Sequence, residues 1–168
     1  MSKRFTITKT WQDFPAAHRQ PNHDGHCRWI HGHDWRFDIT FGCNELDENN
    51  FVIDFGKLEL VRDFLRDQFD HTLLLNQDDP FLEHLKQSLS SKGAPAGFEG
   101  QGVETVSDFA NIKVVPNCGS EGLAKFVFDE VMVMFRGPAF NEAWKRGVFV
   151  SSVTVWEDSK NRATYYGN

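Results

Sequence analysis

The sequence predicts an α+β fold, an antiparallel sheet with two helices packed on one face. Three observations lead there. Segments alternating with a period of two lie towards both ends of the chain, and two segments with helical periodicity lie between them. Aromatic residues reach 14%, with 16 Phe and 5 Trp against 2 Tyr, which suits pleated, half-buried strands. The order β-β-α-loop-α-β argues for α+β rather than a parallel α/β sheet. At 168 residues the chain is expected to form one domain, 1–168, around a single core.

The first strand is predicted from Arg4 to about Trp11, with Phe5, Ile7 and Trp11 on one face and Thr6, Thr8 and Thr10 on the other. The second runs from about His31 to Phe41, where Trp35, Phe37, Ile39 and Phe41 alternate with Asp34, Arg36, Asp38 and Thr40. That is the pattern of a sheet with one buried face. Between them Pro21–His26 is rich in turn-formers. Asp54 is placed to cap a helix from Gly56 to Asp67, and Ser120 to cap a second that carries Leu123, Phe126, Val127 and Val131. A β-branched last strand spans Val148–Glu157. The Ser- and Gly-rich stretch from Ser88 to Val106 reads as an exposed excursion.

Composition narrows the function. A net charge of −6 with no basic stripe argues against a nucleic-acid groove. No apolar run approaches the ~20 residues of a membrane span. The opening Met1–Thr6 lacks the apolar segment of a secretory signal, and three widely spaced cysteines make no disulfide framework. A soluble, cytoplasmic protein without nucleic-acid or membrane partners is expected.

The chemistry concentrates in histidines. Four of the 7 fall between His18 and His31, and His33 follows. His31 and His33, two apart on a strand, point to one face, and a hairpin would bring His18 alongside them. Three imidazoles with a fourth position open form the inner sphere of a catalytic zinc site. His23 and His26 read equally well as solvated loop residues. A closed structural zinc site using Cys27 with His31 is an alternative, for which Cys43 and Cys118 are badly placed. Near a metal, the Cys27 thiol would serve as a base or nucleophile. Elsewhere it would be a small buried hydrophobe. Asp70-His71 sets a carboxylate beside an imidazole. Glu157 shares the apolar face of Val153 and Val155, where a carboxylate needs a partner, such as a ligand with two adjacent N–H donors.

Taken in order, Phe14-Pro15-Ala16-Ala17-His18, Cys27-Arg28-Trp29-Ile30-His31-Gly32-His33, Val52-Ile53-Asp54-Phe55, Asp70-His71 with Leu75-Asn76, Ser120-Glu121 and Trp156-Glu157 resemble the 6-pyruvoyl-tetrahydropterin synthase / 6-carboxy-5,6,7,8-tetrahydropterin synthase family. The resemblance runs from about Phe5 to Tyr166, with residues 78–113 read as an insertion. It implies the tunnelling fold, zinc on His18, His31 and His33, Cys27 as catalytic cysteine and Asp70 with His71 as a relay pair. Glu157 would anchor the pterin ring, with Ser120 and Glu121 as further substrate contacts. The spacing of Cys27 and His31 resembles the 6-carboxy branch, which serves queuosine biosynthesis. That branch converts 7,8-dihydroneopterin triphosphate with loss of triphosphate and acetaldehyde. A 6-pyruvoyl-tetrahydropterin synthase and a non-catalytic pterin-binding protein are the alternatives. One departure stands out: where the family shows Pro-Thr-x-Glu, this chain reads Cys118-Gly119-Ser120-Glu121.

A small sheet with open edges also invites association. The resemblance implies trimers stacked into a hexamer, a trimer being the fallback. Glu157 and the zinc ligands are expected to reach each pocket from different chains.

Overall fold

The two strands with the clearest alternation form the centre of the sheet. The computed structural model describes residues 4–90 and 110–167. β1 (Phe5–His18) and β2 (His31–Cys43) form a long antiparallel hairpin. The chain continues through a 3₁₀ turn at Phe55–Leu58, α1 (Glu59–Phe69), β3 (Thr72–Asn76), α2 (Phe81–Ser90) and β4 (Ile112–Val115). Then come α3 (Ser120–Phe135), α4 (Asn141–Lys145), β5 (Phe149–Trp156) and β6 (Arg162–Tyr166). Residues 91–109, which hold most of the expected excursion, lie outside the described residues.

The α+β class holds, but the sheet is larger than expected and mixed. Its six strands run β4-β3-β1-β2-β5-β6. β3 is parallel to β1 and β4 parallel to β3; the other pairs are antiparallel. β3 and β4 escape a reading by alternation because they are short apolar runs, partnered by chain remote in sequence. Two of the four helices among the described residues carry the core. α1 buries Val61, Leu65 and Phe69, and α3 buries Leu123, Ala124, Val127, Val131 and Phe135. They pack against the sheet face that presents Trp11, Trp35, Phe37, Ile39, Phe41, Val153 and Val155, all buried. Phe37 meets Phe69 with ring centroids 4.5 Å apart, and Phe41 stacks on Phe135 at 5.1 Å. The opposite face is polar. Thr8 pairs with Thr40, Thr154 with Thr164, and Asp38 accepts from Thr10, Arg36 and the Trp156 indole. Burial works to raise the Asp38 carboxyl, but those hydrogen bonds outweigh it and hold the group below its usual range.

One irregularity positions the functional end. Trp11 pairs with Phe37 and Phe14 with Trp35, so β1 uses one residue more than β2 over this span. Asp13, in the left-handed region at φ 68°, takes up the extra residue as a β-bulge. Strict alternation from Trp11 would turn His18 to the polar face. The bulge restores the phase, so Phe14, Ala16 and His18 all face the helices and are buried.

A histidine–glutamate cluster at the end of the sheet

At the end of the sheet where β1 stops, β2 starts and β5 stops, four side chains converge. One ligand atom each from His18, His31, His33 and Glu157 lies within 4.8 Å of all the others. The register explains the meeting. His18 pairs directly with His31, His33 lies across from Ala16, and Arg36 pairs with Trp156, so Glu157 emerges beside His33. Ring centroids are 4.5 Å apart for His18–His31, 5.1 Å for His18–His33 and 5.0 Å for His31–His33. Trp35, fully buried, forms the floor edge-on to His18 and His33, and its indole N–H donates to the Ala16 carbonyl.

The outer partners of the rings fix which nitrogen points inward. His18 Nδ1 lies 2.7 Å from the Cys118 carbonyl and His31 Nδ1 lies 2.8 Å from the Trp29 carbonyl. A carbonyl only accepts, so both Nδ1 atoms carry the proton and both Nε2 atoms keep a free lone pair. Cys118 is itself held, its N–H donating to Asn76 Oδ1 at 2.7 Å and its thiol to the Arg19 carbonyl at 3.0 Å. Arg19 in turn grips the buried Asp79 carboxylate at 2.8 and 2.9 Å. Asp79 caps the start of α2 through the Phe81 N–H. The β1 end, the β3 end and the α3 start thus form one bracket behind His18.

The residues fit a metal ion. Among the described residues, His18 Nε2 and His33 Nε2 are the buried side-chain nitrogens and oxygens that lack any hydrogen-bond partner. An orphaned buried lone pair is costly unless something binds it. Burial, with like charge from His31 and His33 and against the Cys118 carbonyl, lowers His18 to about 4. Burial also lowers His33, opposed by Glu157. Both imidazoles are therefore neutral near pH 7, the form that ligates metal.

One expectation is corrected here. Glu157 and the histidines come from one chain, since the β2–β5 register already carries the glutamate to the cluster.

The other candidate residues lie around this group rather than in it. Cys27 is half-buried in the 3₁₀ turn His26–Arg28, on the loop that joins the two histidine-bearing strands. That loop closes on itself through Gln20 N–H to the Cys27 carbonyl at 2.7 Å. Asp70 and His71 do pair, at 2.6 Å between Oδ1 and Nδ1. His71 sits at φ 56° with its side chain 83% exposed, and is not among the converging ligand atoms. Ser120 opens α3 but does not cap it. Gly119 is the N-cap, and the Ser120 hydroxyl instead donates to Glu121. The helix start lies next to the cluster through the Cys118 carbonyl. A cleft of about 680 Å³, lined in part by Gly32, His33, Arg36, Trp156 and Glu157, opens onto the group.

A model of the 6-pyruvoyl tetrahydropterin synthase family matches residues 6–168. The chain belongs to this family. Among curated relatives, the 6-carboxy-5,6,7,8-tetrahydropterin synthase of Rickettsia typhi is 41% identical over 68 residues, 40% of this chain and 49% of that protein. The one from Aquifex aeolicus is 28% identical over 140 residues, 83% and 75% of the two chains. The chain thus spans about half the length of the first of these relatives and three quarters of the second. Two solved structures share the fold over nearly their whole length. An uncharacterized protein from Wolinella succinogenes has a TM-score of 0.78 at 23% identity, covering 99% of this chain and 100% of that one. The 6-pyruvoyl tetrahydropterin synthase of Plasmodium vivax has a TM-score of 0.64 at 15% identity, covering 99% of each. No helix among the described residues is long and apolar enough to cross a membrane.

In this synthase-family chain, sequence reasoning missed the parts that act through backbone. The Cys118 and Trp29 carbonyls carry no side-chain signal. Asn76 was visible only as part of a motif, and Asp13 only as a polar pair with Gln12 that interrupts the alternation.

Proposed function

We propose that this chain is a zinc-dependent 6-carboxy-5,6,7,8-tetrahydropterin synthase, a lyase acting on 7,8-dihydroneopterin triphosphate with release of triphosphate and acetaldehyde, in the route to queuosine. The observation that carries the reading is the pair of buried, partnerless imidazole nitrogens facing one point beside a third histidine. The names of the curated relatives support the carboxy branch.

His18, His31 and His33 would hold the zinc, through Nε2 for His18 and His31. Their donor set suits this ion, whose bound form supplies Lewis acidity to vicinal side-chain hydroxyls of the substrate. The chain's residues do the rest. Glu157 accepts the paired N–H donors of the pterin ring and sets the side chain towards the histidines, which is positioning. Ser120 and Glu121, at the start of α3, would be further substrate contacts. The Cys27 thiolate takes or returns a proton at the side-chain carbons. Asp70 holds the Nδ1 proton of His71, leaving Nε2 as a second acid–base atom.

That pair is exposed within one chain, and we place it at the pocket of a neighbouring copy. A homo-oligomer, a hexamer or on stacking failure a trimer, would also cover the outer strands β4 and β6. Incubation with 7,8-dihydroneopterin triphosphate tests the reading. Acetaldehyde and triphosphate in equal amounts are expected. Triphosphate without acetaldehyde would assign the pyruvoyl branch. Tight pterin binding without turnover would mark a binding protein whose altered Cys118-Gly119 helix start has lost catalysis.

A further inference from the structure

We propose that Glu157 is a fourth, displaceable ligand of the metal, closing the site until substrate arrives; this rests on the function proposed above. Glu157 Oε1 lies 3.4 Å from His18 Nε2 and 3.3 Å from His33 Nε2. Neither contact is a hydrogen bond, since both nitrogens are partnerless. Ligands at zinc bond lengths of about 2.0–2.1 Å sit about 3.4 Å apart along the edge of a tetrahedron. The carboxylate oxygen therefore stands at the tetrahedral-edge distance from two of the imidazole nitrogens, and the carboxylate lies within 4.8 Å of the His31 ligand nitrogen.

The surroundings allow it to leave. The backbone beyond Glu157 is braced, with Glu157 N–H on the Asn161 carbonyl at 3.1 Å and the Lys160 and Asn161 N–H groups on Asp158 Oδ1 at 2.7 Å. The Glu157 side chain is one-quarter exposed, on the wall of the 680 Å³ cleft. A ligand entering there meets the carboxylate first. A ring with two adjacent N–H donors draws it off the metal, and the vacated vertex falls to the ligand's hydroxyls. The charge changes in step. Three neutral imidazoles with a carboxylate leave a net +1 at the centre, and removal of the carboxylate restores +2. Full Lewis acidity then arises only with substrate in place.

The test uses the full chain with zinc and with cobalt(II) as a spectroscopic substitute. Glu157→Gln keeps the shape but is a poor ligand. It is expected to weaken zinc at least tenfold in competition with a chromophoric chelator, and to change the visible spectrum of the cobalt protein without substrate. 7,8-Dihydroneopterin should shift the wild-type cobalt spectrum. Where Glu157→Gln does not fold, Glu157→Asp, which withdraws the oxygen by one methylene, carries the same expectation. Unchanged affinity and spectrum, with only pterin binding lost, would overturn the inference and leave Glu157 as an anchor alone. A wild-type chain that takes up no zinc would instead overturn the proposed function.

Discussion

Removing the metal should expose a pH-dependent weakness that belongs mainly to His18. Burial in a residue only 1% exposed pushes its imidazole from 6.5 to about 4. Between those values the unfolded chain binds a proton that the folded chain refuses, so stability rises with pH across the window. It is fully present above pH 6.5 and is lost as the pH falls towards 4. A difference of 2.5 units, from 6.5 and about 4, at about 1.36 kcal/mol per unit corresponds to roughly 3 kcal/mol. Native carboxylates titrate at the lower end too, so the measurement is a difference. Urea unfolding of chelator-treated wild type and His18→Gln should be compared at steps from pH 7 to 4.5. The wild-type advantage is expected to shrink steadily, by about 2–3 kcal/mol over that range. A difference flat in pH would refute the burial argument and with it the account of His18 as a neutral, preformed ligand.

Other outcomes follow from particular contacts. Asn76→Ala leaves the buried Cys118 N–H without its acceptor. It should cost about 1–3 kcal/mol in denaturant unfolding and weaken zinc about 10–100-fold through the released Cys118 carbonyl. Deleting Asp13 only removes the bulge and should keep zinc uptake by atomic absorption. One alanine inserted between Ala16 and Ala17 turns His18 to the polar face and should abolish it. Cys27→Ala should retain zinc and fold while losing product formation by at least a hundredfold, the lower range for a removed general base. Loss of zinc in that variant would make Cys27 a ligand instead.

The parts of this molecule that follow from side-chain pattern were readable from the residues. β1, β2 and β5 alternate with period two, His31 and His33 must share a face, and Glu157 continues the face of Val153 and Val155. What depends on register or on backbone was not. The predicted first strand ends at Trp11, because Gln12 and Asp13 break the alternation. The bulge instead carries the strand seven residues further, to His18. Leu73–Leu75, paired in parallel with β1 and β4, lacks alternation because its side chains on both faces are wholly or partly buried. Ser120 reads as a cap by residue type, yet Asn117 accepts from the Gly119 N–H, and the helix begins one residue earlier than a serine cap requires. The approach of Glu157 to the imidazoles is set by the pairing of Arg36 with Trp156, a long-range register that no local pattern encodes.

The account rests most on the histidines acting together as one metal centre, and metal content measures that directly. Protein purified without added metal and analysed by plasma mass spectrometry should hold about one zinc per chain. His18→Ala, His31→Ala and His33→Ala should each fall below about a tenth of that, while His23→Ala and His26→Ala remain at the wild-type level. Full zinc in any of the first three, or loss of zinc on replacing His23 or His26, would contradict it.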